Sequence, residues 1–154
     1  MFCPISLGSR ARTLPHVRLP DPFAPILTGI HVPQQILLVD DDDAVRAFTL
    51  RALTAAGHQV VAVSSGPEAV AAAQGLSHLD VIVTDVVMPG VMGGAVARSV
   101  NGIFPDARVL LISGYIDDPS VIDNVASGTW AYLAKPFTIV QICQAVDQLV
   151  SDRR

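Results

Sequence analysis

A chain of 154 residues that is 51% hydrophobic and 16% charged, with a formal net charge of −4, suits one domain with a substantial core and carries too much apolar residue for a disordered protein. No run approaches the roughly 20 apolar residues of a membrane-spanning helix, and the acidic balance opposes the phosphate attraction behind nucleic-acid binding, so neither a membrane span nor direct nucleic-acid contact is expected. Cys3 and Cys143 lie far apart without metal-ligand spacing, so a reducing compartment, the cytoplasm, is expected rather than a disulfide framework or a zinc site.

In chain order, residues 1–35 hold six of the eleven prolines and carry Arg10, Arg12 and Arg18 against only Asp21. Proline fixes φ and removes a backbone donor, so this stretch reads as an extended or disordered leader, or as sequence upstream of a later start. Residues 36–154 hold thirteen of the fourteen acids and seven of the ten basic residues. There, short apolar runs alternate with segments of helical period, the pattern of a parallel sheet with crossover helices. The expected strands are 36–40, 59–63, 81–85, 108–112 and 131–134, each nearly continuous in apolar residues because helices cover both faces. Helices are expected over 43–56, from Gly66 onward, and over 93–102, 118–127 and 138–151. The first would place Val45, Phe48, Leu50, Ala52 and Leu53 near one side and stop at Gly57, and the last would open on Thr138 as N-cap. Five βα units make an α/β, doubly wound, flavodoxin-like sandwich with a five-stranded parallel sheet in the order 2-1-3-4-5.

Ligands of such sheets bind outside the carboxyl ends of the strands. Strand one ends in Asp40-Asp41-Asp42-Asp43, strand three in Asp85 and strand four in Ser113, and strand five runs into Lys135-Pro136. Clustered carboxylates repel unless a hard divalent cation sits among them, and Mg²⁺ is the natural candidate. Asp40, Asp41 and Asp85 with Mg²⁺ and Lys135 sum to neutrality, which suits phosphoryl chemistry. No histidine or cysteine lies near these strand ends, so the nucleophile would be a carboxylate, best placed at Asp85, and the product an aspartyl phosphate. Lys135 is the chain's single lysine, beside nine arginines. Asp42 and Asp43 read as caps of the first helix.

The segments ILLVDDDDAVR (36–46), VIVTDVVMPGVMGG (81–94), VLLISGY (109–115) and YLAKPF (132–137) resemble, in order and spacing, the receiver domains of two-component response regulators, the CheY-like family. The resemblance implies a phosphorelay switch that takes a phosphoryl group from a histidine kinase or phosphotransfer protein onto Asp85. It would catalyse its own phosphorylation and dephosphorylation while acting mainly as a signal. Asp40 and Asp41 would hold Mg²⁺ with Asp85 and the backbone carbonyl of Val87. Ser113 would be the switch hydroxyl, Lys135 the amine paired with the phosphoryl group, and Tyr132 an aromatic that follows Ser113 or else merely packs. Pro136 would follow a cis peptide bond.

Signal would leave through the face of helix four, strand five and helix five to a downstream protein; with no residues left for an output domain, that target would be another molecule unless the chain is part of a larger one. Trp130, beside that face, is either a packing residue or a partner contact. Met92 stands where the family usually has a polar cap for helix three. Tyr115 would shield the acyl phosphate from water. His16, His31, His58 and His78 match no strand end and read as surface or leader residues, and Cys143 as a small core hydrophobe. The alternative is a receiver-like interaction module that is never phosphorylated, whose signature would be loss of the acids or the lysine; all are present.

Overall fold

The computed structural model describes residues 32–152. Strands β1 (Gln35–Val39), β2 (Gln59–Val63), β3 (Val81–Asp85), β4 (Arg108–Ser113) and β5 (Trp130–Ala134) alternate with helices α1 (Asp43–Ala55), α2 (Gly66–Gln74), α3 (Gly93–Ile103), α4 (Pro119–Ala126) and α5 (Ile139–Ser151). All strand pairs are parallel and the order is β2-β1-β3-β4-β5. The expected leader falls, as far as residue 31, outside the described residues, along with Cys3, His16 and His31.

The two-residue period of the strands divides the core. Leu37, Val39, Ile82, Val109 and Leu111 face α2, α3 and α4, where Ala69, Val96, Val100, Val121 and Val125 meet them. Their neighbours Ile36, Leu38, Val81, Val83, Leu110 and Ile112 face Leu53 of α1 and Ile142 and Val146 of α5. Each such side chain contributes roughly 1.5–3 kcal/mol by leaving water. With both faces covered, no polar alternation is possible, which is why the strands read as continuous apolar runs.

The helix ends follow local chemistry. Asp42 caps α1, accepting from the N–H groups of Ala44 and Val45 at 2.9 and 3.1 Å, and Gly57 beyond it has φ +96°, the left-handed stop that glycine permits. Thr138 and Gln141 form a reciprocal capping box on α5. Met92 supplies no side-chain cap to α3; the N–H of Gly93 instead donates to Val86 O at 2.8 Å.

Two expectations are corrected. The buried stripe of α1 is Thr49, Ala52 and Leu53, whereas Phe48 is 39% exposed and meets the ring of Phe137, with centroids 6.1 Å apart; helical period turns position 48 away from the sheet. His58 is not a surface residue. It is buried, accepts at Nδ1 from the Gln34 N–H at 3.1 Å, and places Nε2 3.8 Å from Asp147 Oδ1, tying the start of β2 to the chain before β1 and to α5.

Candidate functional site

The first crossover runs from β1 outward to β2 and the second returns past β1 to β3, so β1 and β3 lie side by side where the winding reverses. The register then steps along one edge: Val39 pairs Thr84, Asp85 pairs Ile112, and Ser113 pairs Ala134. Asp40, Asp85, Ser113 and Lys135 therefore leave the sheet together.

Carboxylate oxygens of Asp40, Asp41 and Asp85 lie within 4.8 Å of one another. Lys135 Nζ donates to Asp85 Oδ2 at 3.0 Å and to Asp40 Oδ2 at 3.2 Å. Asp40 is 0% exposed, while Asp41 is open to solvent. Burial raises the Asp40 pKa above the usual carboxylate range, and the Asp42 N–H and Lys135 offset this only in part. Burial also pulls on Lys135, but in the opposite direction, and there the bond to Asp85 and the charges of Asp40 and Asp85 prevail, so its amine titrates above its ordinary value. The two partners differ because Lys135 serves two carboxylates, whereas the fully buried Asp40 shares one amine.

Asp85 Oδ1 accepts from the Val87 N–H at 3.3 Å. The Ser113 hydroxyl is engaged by the following loop rather than by Asp85: it donates to Tyr115 O at 2.7 Å and accepts from Tyr115 N–H at 3.2 Å. Two donors converge on the Ser113 carbonyl, Tyr132 Oη at 2.8 Å and the Lys135 N–H at 2.9 Å. Burial raises the Tyr132 pKa. Tyr115 is 69% exposed. The Lys135–Pro136 peptide is cis.

Trp130 does not join the exposed face. It is 5% exposed, sits in the core layer with Val121 and Val125, and carries the Arg98 guanidinium 5.8 Å from its ring centroid. As the first residue of β5, pairing Val109, it points into the helix layer, so packing is the reading the structure supports. Sequence reasoning missed Arg46, whose Nη1 donates to Asp40 O at 2.8 Å and whose Nη2 pairs with Asp43. Its signal was a lone basic residue one turn after four aspartates.

Residues 36–147 match the family model for the response regulator receiver domain. The chain belongs to this family. It is 34% identical over 116 residues to the sensor kinase CckA of Brucella abortus, covering 75% of this chain and 12% of that one. It is 29% identical over 117 residues to the response regulator receiver protein CpdR of the same organism, covering 76% of this chain and 97% of that one. The crystal structure of a response regulator receiver protein from Sinorhizobium medicae aligns at TM-score 0.69 and 32% identity, covering 79% of this chain and 98% of that one. The chain spans 24% to 26% of several transcriptional regulators that it also matches. Receivers of two-component systems work with histidine kinases and downstream effectors. Among the described residues no helix is long and apolar enough to cross a membrane.

The receiver's donor set fits the Mg²⁺ that its family uses. Three carboxylates cluster where one amine is bonded to two of them, leaving a negative excess of two formal charges, and oxygen donors are what a hard divalent ion prefers.

Proposed function

We propose that this receiver takes a phosphoryl group from a phosphohistidine donor onto Asp85, with Mg²⁺ held by Asp40, Asp41, Asp85 and the Val87 carbonyl. The observation that carries this reading is the convergence of Asp85 with two further carboxylates and the chain's single lysine. Mg²⁺, when bound, neutralises charge on the phosphoryl oxygens and on the acids. Asp85 is buried at the end of a central strand, a fixed position that supports its carboxylate as the nucleophile. A carboxylate oxygen forms the new P–O bond while the P–N bond of the donor breaks. The donor nitrogen keeps that electron pair and takes up a proton, and nothing is oxidised or reduced. Lys135, already 3.0 Å from Asp85, supplies a fixed positive charge for an oxygen of the arriving group.

Ser113 is the switch. To reach the phosphoryl group its hydroxyl must leave the backbone of Tyr115, and Tyr132, bonded to the Ser113 carbonyl, follows that movement. The shift biases the face of α4, β5 and α5 toward a downstream protein. Tyr132 belongs to this face, and Trp130 supports it from within. The compartment is the cytoplasm, with a histidine kinase or phosphotransfer protein as donor.

Incubation with acetyl phosphate and Mg²⁺, followed by intact-mass measurement, is expected to give a phosphoryl adduct on the wild type and none on Asp85→Asn. An unmodified wild type under conditions that preserve acyl phosphates returns the chain to the constitutive interaction module. Tyr115→Ala is expected to lose its phosphoryl group faster than wild type, as followed by decay of the adduct, since less bulk would then screen the site from water.

A further inference from the structure

The turn from β1 into α1 is held more tightly than its four acidic residues would suggest. Every polar group of Asp40 has a partner: its N–H donates to Val63 O at 3.2 Å, Oδ1 accepts from Asp42 N–H at 2.9 Å, Oδ2 accepts from Lys135, and its carbonyl accepts from Arg46 Nη1 at 2.8 Å. Two of these bonds bracket Asp41. The peptide before Asp41 is held through its carbonyl by Arg46, and the peptide after it through its N–H by the Asp40 carboxylate. Asp41 itself is exposed, so its carboxylate is aimed mainly by the backbone that carries it.

We propose that Arg46 is a positioning residue of the acidic site, fixing the Asp40–Asp41 peptide so that the Asp41 carboxylate converges with Asp40 and Asp85 on a divalent cation. The inference rests on the metal-binding reading above. The guanidinium suits the task because its fork serves two acceptors at once, the Asp40 carbonyl and the Asp43 carboxylate. Arg46 is only 22% exposed, so packing limits its alternatives.

A pure charge effect has the opposite sign. Removing a cation from among carboxylates deepens the negative potential and should tighten Mg²⁺ binding. Removing a group that aims a ligand should weaken it, as loss of residues that orient metal ligands commonly does, by about tenfold. The direction of change separates the two.

The test is calorimetric titration of the full chain with MgCl₂, for wild type, Arg46→Gln and Arg46→Lys, with thermal melts in the absence of metal as a folding control. Arg46→Gln is expected to bind Mg²⁺ about tenfold more weakly than wild type. Arg46→Lys, which keeps the charge but lacks the planar fork that spans the two acceptors in a fixed geometry, is expected to fall between the two and provides the reading if the glutamine variant does not fold. Affinity equal to or tighter than wild type in the folded variants overturns the proposal while leaving the metal site standing. A wild type that takes up no Mg²⁺ overturns the metal reading itself, and this inference with it.

Discussion

Gly93→Ala is expected to abolish phosphoryl acceptance and to lower the unfolding free energy by more than about 3 kcal/mol, beyond the usual cost of an overpacked methyl. A Cβ at this position would lie 1.8 Å from the Asp85 carbonyl oxygen, 2.8 Å from its carbon and 2.9 Å from Val86 Cα. All three are backbone atoms, so no side-chain rotation relieves the clash. Either the start of α3 must lift away, breaking the 2.8 Å bond from Gly93 N–H to Val86 O, or the end of β3 must move and carry Asp85, the proposed phosphoacceptor, with it. The adjacent Gly94 is the internal comparison. Its Cβ would meet Val121 Cγ2 at 2.9 Å, the end of a side chain, so Gly94→Ala should cost about 1 kcal/mol and leave Asp85 in place. Urea unfolding of both variants, with acetyl phosphate labelling, checks the pair; equal midpoints for the two would contradict the argument.

The sequence made the sheet legible because burial on both faces leaves a distinctive mark, and each expected strand lies within one residue of the observed bounds at either end. The convergence of Asp40, Asp41, Asp85 and Lys135 was legible for a related reason: strand order and the rule that ligands bind at carboxyl ends bring distant residues to one edge. What escaped was decided by side-chain direction. Trp130 stood open between packing residue and partner contact, because where its ring points depends on which face of β5 position 130 occupies. Phe48 was placed with Ala52 and Leu53 near one side of the first helix, although the buried stripe of α1 runs through positions 49, 52 and 53. His58 precedes β2 without any local pattern, and its burial comes from contacts with Gln34 and Asp147 that lie far away in sequence. The hold of Arg46 on a carbonyl and that of the Tyr115 backbone on Ser113 are likewise bonds to the main chain, which leave no spacing to read.

Lys135→Met should weaken both the chemistry and the apo fold, and the two losses should depend differently on pH. Among the described residues Lys135 is the only cation paired with the carboxylates of Asp40 and Asp85, and Asp40 is 0% exposed. Stripping a buried carboxylate of its partner costs about 3 kcal/mol near neutral pH. The Lys135 pKa is raised in the folded chain, so in the wild type its contribution is complete below the unfolded value and is lost as the pH rises through the folded one. The Asp40 pKa is also raised. Between its unfolded and folded values the native chain binds the proton more tightly, so stability climbs as the pH falls through that window. Without the amine, Asp40 is pushed higher still and the window widens upward. The stability deficit of Lys135→Met should therefore shrink as the pH falls from neutral toward the ordinary carboxylate range and Asp40 takes up its proton. Adding Asp40→Asn should remove most of both the deficit and its pH dependence. Urea midpoints across that range decide the matter, and a deficit that stays constant would place the cost in lost packing of the lysine stem instead. Phosphorylation by acetyl phosphate should fall by about a hundredfold, the usual loss when a preorganised charge is removed from a developing oxyanion. Lower pH should not restore it, because protonating Asp40 returns stability without returning a cation to the phosphoryl oxygens.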